Sequence, residues 1–182
     1  MNLKQSKFLY LGIIAISLLI IGYTLYYFYG TMGGFKEVKV TASGPVERTV
    51  AGVHYVGKAR SNEYEAIRKT CEEQITKNKL NGFFTEITYQ NDTLEPNEID
   101  QFIGITLNTD MAEIPYEFEV RDFKCDERYV LFLGMHPALR KPADKYEELI
   151  SEAASKDNKQ LNNFFMAIHY DMDSLAVEGW VK

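Results

Sequence analysis

The sequence predicts an α+β domain made of duplicated strand-strand-helix-strand-strand units, joined in one curved antiparallel sheet with two helices and preceded by one transmembrane helix. Three observations carry this expectation. An uncharged run begins at Phe8. Behind it, period-two and helical patterns follow each other in the same order twice. One phrase, NGFFTEITYQND at Asn81 to Asp92, returns as NNFFMAIHYDMD at Asn162 to Asp173, with Glu86 of the first replaced by Ala167 in the second.

After a short tail at 1–7, the 22 residues from Phe8 to Tyr29 carry no charge. At about 1.5 Å per residue such a helix spans the roughly 30 Å hydrocarbon core of a bilayer. A cleaved signal peptide is the competing reading, because Lys4 and Lys7 precede the run. The run is long for a signal, and Tyr26, Tyr27, Phe28 and Tyr29 stand where a small-residue cleavage site belongs; they read as an interfacial aromatic belt. Lys4, Lys7 and the amino terminus slightly outweigh Lys36 and Lys39, which favours a single-pass protein with a cytoplasmic amino terminus and the domain outside the cytoplasm. A Gly-rich joint at 30–34 is expected to be flexible and to let the domain at 35–182 stand off the membrane.

Lys4 and Lys7 are the only charges before Phe35, so the domain keeps 18 basic and 26 acidic side chains, a net of −8. That balance repels phosphate backbones and argues against a nucleic-acid partner. Cys71 and Cys125 are the only cysteines. With no Cys-x-x-Cys or Cys/His cluster, no metal site is expected, and two separate, partly buried thiols are favoured over one disulfide.

In the first unit, FKEVKVTA from Phe35 alternates with Val38 and Val40 on one face, and TVAGVHYVG from Thr49 is the second strand. Asn62, with Glu65 three residues on, is the expected helix N-cap. Tyr64, Ile67, Cys71 and Ile75 recur at helical spacing as a buried stripe, and Glu65, Arg68, Lys69, Glu72 and Glu73 fall on the polar face. FFTEITYQ and FIGITLNT follow as strands. The second unit runs through YEFEVRDF and RYVLFLGMH, a helix opened by Pro142 with Tyr146, Leu149, Ile150 and Ala153 buried, then FFMAIHYD and LAVEGWV. The two repeats are read as 35–110 and 115–182. Phe83, Phe84, Ile87, Tyr89 and Asp92 match Phe164, Phe165, Ile168, Tyr170 and Asp173 at one constant offset, which points to internal duplication. The groove between two such halves is the natural pocket.

This duplicated plan, with an aromatic strand running into a turn near Asp in each half, resembles the GyrI-like small-molecule-binding domain of multidrug-responsive bacterial transcription activators (an SHS2-type fold) over Phe35 to Val181. The stretches GYTLYYFYGTMGGFKEVKV and ITYQNDTLEPNEIDQFIGI are similar to a membrane-anchored branch of that family, which includes an animal reticulophagy receptor. The receptor's long tail has no counterpart up to Lys182, so its autophagy role is not expected here. The resemblance implies a binding domain without cofactor rather than an enzyme, with a cleft for a small amphipathic or cationic molecule. There one glutamate neutralises the cation while rings cover its apolar body. The family's glutamate belongs at or near Ala167 and His169; Glu86 holds the equivalent place in the first repeat. The family's frequent Asp-Pro turn is replaced by Asn91-Asp92-Thr93 and Asp171-Met172-Asp173.

The candidate ligand contacts are Glu86, Tyr89, Trp180, Tyr55, His169 and Tyr170. Each has an ordinary alternative: a solvated acid for Glu86, core or cross-strand packing for the rings, a strand-edge hydrogen bond for His169. Two other functions compete. The domain could bind a protein partner with a vestigial cleft, or Glu86 as base with Tyr89 as positioning group could act as a hydrolase.

Overall fold

The computed structural model describes residues 3–108 and 114–182. The end of the first expected repeat, Asp110, and the first two residues of the tail lie outside them. A long helix α1, Leu3–Thr31, leads into eight strands and two further helices: β1 Val40–Ser43, β2 Val46–Lys58, α2 Asn62–Thr76, β3 Gly82–Tyr89, β4 Glu98–Leu107, β5 Glu119–Cys125, β6 Arg128–Gly134, α3 Ala143–Lys156, β7 Leu161–His169 and β8 Ser174–Val181. A 3-10 turn at Pro137–Leu139 links β6 to α3. The stretch Tyr10–Thr31 is long and apolar enough to cross a membrane and buries none of its side chains in the rest of the chain.

The Gly-rich joint is tied down where the sequence predicts flexibility. Gly33 sits at φ +82° just past α1. Its N–H bonds to Gly30 O at 3.0 Å and the Gly34 N–H to Tyr29 O at 2.9 Å, the paired bonds of a Schellman cap. The His136 N–H then donates to Met32 O at 2.9 Å, which fastens the cap to the corner after β6. Phe35 stacks against Tyr26 and Tyr29, each at 5.0 Å between ring centres. The first strand consequently starts at Val40 rather than Phe35, although Val38 and Val40 do pack on one core cluster.

All eight strands form one antiparallel sheet in the order β1-β6-β8-β7-β3-β4-β2-β5. The order is symmetric about the β3–β7 pair, but each half takes its outer strand from the other repeat: β1 pairs with β6, and β5 with β2. The two copies of the repeated phrase therefore lie side by side at the centre. The register places Glu86 opposite Ala167, with Phe84 opposite His169 and Thr88 opposite Phe165 on either side.

Both helices cover one face. α2 buries Tyr64 and Cys71 over Ala51, Phe84, Ile103 and Ile105; α3 buries Tyr146, Ile150 and Ala154 over Leu131, Leu133, Phe165 and Val177. The N-cap of α2 is Ser61, one residue before the expected Asn62; its hydroxyl accepts the Tyr64 N–H. The other face is closed by curvature. Strands about 4.8 Å apart would put β2 roughly 19 Å from β8 in a flat sheet. Yet an Arg48 guanidinium N–H on β2 reaches Glu178 on β8 at 2.6 Å, and the Phe123 ring on β5 lies 6.1 Å from Trp180. Gly52 and Gly104 face each other between β2 and β4, so close that a Cβ on Gly52 would stand 2.3 Å from Ile103 O. That approach suits a sheet that curls tightly. The curl wraps Val50, Ile87, Phe102, Met166, Ile168 and Trp180 into an interior cluster without any helix. Cys71 belongs to the α2 cluster and Cys125 to this interior one, and both thiols are free.

Candidate functional site

Strand alternation sends Phe84, Glu86 and Thr88 of β3, and Phe165, Ala167 and His169 of β7, to the helix-bearing face. They floor a groove between α2 and α3. Glu86 lies there with 16% of its side chain exposed, which removes the reading of a solvated acid. Its carboxylate accepts the Tyr64 hydroxyl at 2.8 Å and meets His169 Nε2 at 3.2 Å. Arg68 Nε stands 3.7 Å from Glu86 Oε1, with its guanidinium 5.3 Å from the Phe84 ring centre and 5.9 Å from that of Tyr64. Burial alone would push the Glu86 carboxyl up. The His169 hydrogen bond, the Arg68 charge and the Tyr64 hydroxyl outweigh it and hold the group below the ordinary carboxylate value. Burial, then the neighbouring Glu86 charge, pushes the Tyr64 hydroxyl up, so it stays a donor.

Two cavities flank this knot. The larger, about 560 Å³, is walled by Arg68 and Glu72 of α2, Phe83 and Phe84 of β3, His169 and Tyr170. Arg140 shapes its far side, donating to Met135 O at 3.1 Å and Met172 O at 2.9 Å and so tying the 3-10 turn to the loop after β7. The smaller, about 140 Å³, runs under α3 past Glu86, Tyr146, Glu147, Phe165 and Ala167. Burial pushes the Glu147 carboxyl up, with the nearby Asp144 charge adding to it.

Of the residues expected from sequence, the structure brings Glu86 and His169 together, and Tyr170 lines the larger cavity beside His169. Tyr170 stacks on Phe83 at 4.8 Å at the rim. The others lie elsewhere. Tyr55 is buried under the start of α2, where its hydroxyl donates to Lys58 O at 2.9 Å and shares a 2.7 Å hydrogen bond with Ser61 Oγ. Trp180 is inside the curl, 1% exposed, with its indole N–H on Glu178 at 3.0 Å. Tyr89 faces the interior rim, where it accepts from Arg121 at 3.0 Å beside the close His54–Asp100 pair. Glu86 and Tyr89, three residues apart in one strand, point to opposite faces, so the base-and-tyrosine pair of the hydrolase reading is not assembled. Sequence reasoning missed Tyr64 and Arg68 as site residues. They are one helical turn apart, which is a legible pairing, but nothing local tells which strand they meet.

Among the described residues no group of His, Cys, Asp or Glu could hold a metal ion. No protein-family model matches the sequence, and no curated protein does. Solved structures are similar in fold. The EcmrR–DNA complex shares 8% identity at TM-score 0.58, over 98% of this chain and 70% of that one. SAV2435 bound to tetraphenylphosphonium shares 11% identity at TM-score 0.51, over 80% and 94%. An uncharacterized conserved protein from Listeria innocua shares 7% identity at TM-score 0.51, over 85% and 98%. Behind its apolar helix the chain therefore has the α+β fold of GyrI-like domains, an eight-stranded curved antiparallel sheet with two helices packed on one face.

Proposed function

We propose that the chain is a membrane-anchored member of the GyrI-like family that binds a small amphipathic or cationic molecule in the groove between its two repeats, at 35–110 and 115–182. One observation carries this reading: a buried, ionised Glu86 that lines a small cavity under α3 and joins, through its partners Arg68 and His169, the wall of a roomy cavity beside the Phe84 ring. A partly desolvated carboxylate favours a cationic partner, and adjacent rings add cation–π attraction. The tetraphenylphosphonium carried by SAV2435, a lipophilic cation, supports the same ligand class. In this reading Glu86 is the countercharge, His169 orients it, and Tyr170 covers the ligand from the rim. Catalysis is not part of it. The helix Phe8 to Tyr29 holds the protein in the bilayer as an amino-terminal anchor, and the domain lies outside the cytoplasm.

A thermal-shift panel tests the groove. The full chain in detergent is melted with lipophilic cations, tetraphenylphosphonium among them, and with neutral amphiphiles, alongside Glu86→Gln. Stabilisation of the wild type that shrinks in the variant is expected. No stabilisation by any compound, or an equal shift in Glu86→Gln, contradicts the reading. For the orientation, a reporter fused at Lys182 that is active only in the cytoplasm would overturn it.

A further inference from the structure

We propose that Arg68 is a displaceable internal cation, which fills the Glu86 subsite itself and yields it to a lipophilic cation by moving onto Glu72. The proposal rests on reading the groove as a cation site, and it adds what that site must give up to bind.

Arg68 makes the contacts such a ligand needs. Its guanidinium lies beside the Glu86 carboxylate at 3.7 Å and over the faces of Phe84 and Tyr64. The hold is loose. The 3.7 Å separation is too long for a hydrogen bond, and Arg68 Nε is buried without a hydrogen-bond partner among the described residues. Glu86, by contrast, keeps two hydrogen bonds that do not involve Arg68, from Tyr64 and with His169, so its carboxylate stays aimed when the arginine leaves.

An alternative seat is at hand. Glu72 is one turn further along α2, its carboxylate already 4.0 Å from the other end of the guanidinium. Both side chains border the 560 Å³ cavity, which provides the space for the swing. Displacement demands a charge: a neutral amphiphile offers Glu86 nothing in exchange for the guanidinium. The favoured ligand is therefore a monocation with an apolar body broad enough to cover Phe84 and Tyr170.

Calorimetric titration of the full chain in detergent with tetraphenylphosphonium tests this with Arg68→Met, Arg68→Lys and Glu72→Gln. Arg68→Met removes the competitor and should bind about fivefold tighter, the scale of a partly exposed ion pair. Arg68→Lys should stay near the wild type. Glu72→Gln, an exposed change that leaves the core intact, should weaken binding about twofold in the wild type and have no effect in the Arg68→Met background, because it acts through the arginine. Wild-type binding that Arg68→Met leaves equal or weaker overturns the displacement and leaves the groove reading standing. No binding by either protein overturns both.

Discussion

Glu86 and Ala167 are direct cross-strand partners on β3 and β7, at the centre of a sheet whose strand order is symmetric about that pair. They are also equivalent positions of the repeated phrase. The pseudo-twofold axis thus passes between a residue and its own counterpart, which explains why the acid is written only once. Two glutamates there would stand directly opposite each other on a buried floor, and like charges so placed repel.

Ala167→Glu should therefore destabilise the domain by about 1 kcal/mol at neutral pH, a fall of roughly 2–4 °C in Tm for a chain of this size. One of two carboxyls sharing a site is pushed up, so the loss should shrink as pH falls and that group takes a proton. Circular-dichroism melts across pH give both the size and the sign.

The Glu86 carboxyl is held below its ordinary value of 4.5, so the native state prefers it ionised. Its contribution to stability is fully present above that value and is lost as pH falls through the lower native-state value. The Tm difference between wild type and Glu86→Gln should be flat from neutral pH down to about pH 5 and should close at lower pH.

Glu178 is 1% exposed and joins Arg48 at 2.6 Å, Arg128 at 3.6 Å and the Trp180 indole at 3.0 Å. This cluster clasps β2 to β8 across the curled interior. Removing one partner of a buried ion pair leaves uncompensated charge, so Glu178→Gln should cost about 3 kcal/mol. Chemical denaturation followed by Trp180 fluorescence measures it, and the emission should shift to the red as the interior loosens.

Gly33 combines φ +82° with a backbone approach that would put a Cβ 2.6 Å from Gly134 O. Gly33→Ala should release the end of α1 from the corner after β6 at a cost of about 1–2 kcal/mol. Limited proteolysis should then cut between Thr31 and Lys36 faster than in the wild type, with little change in the melting of the sheet.

Local patterns made much of this fold readable. The helical stripe Tyr64, Ile67, Cys71 and Ile75 packs as its spacing predicts, and the twice-written phrase marks the two strands that meet at the centre. Long-range pairing was not readable. Nothing in FKEVKVTA or YEFEVRDF says that each strand will cross to the other repeat's edge, because the choice depends on partners far away in sequence. The same limit applies to Trp180 and Tyr89, whose faces are fixed by a curl that spans five strands. Arg68 looks like one more charge on a polar helix face until the sheet brings Glu86 beneath it.

If the groove over the Glu86–Ala167 pair receives a lipophilic cation, the place where one attaches can be mapped. A photoactivatable aryl phosphonium, crosslinked to the full chain in detergent and located by peptide mass spectrometry, should label Phe83, Phe84, His169 or Tyr170, with labelling suppressed by excess tetraphenylphosphonium. Labelling confined to the opposite rim around His54 and Arg121, or labelling that excess tetraphenylphosphonium does not suppress, would rule out binding in this groove.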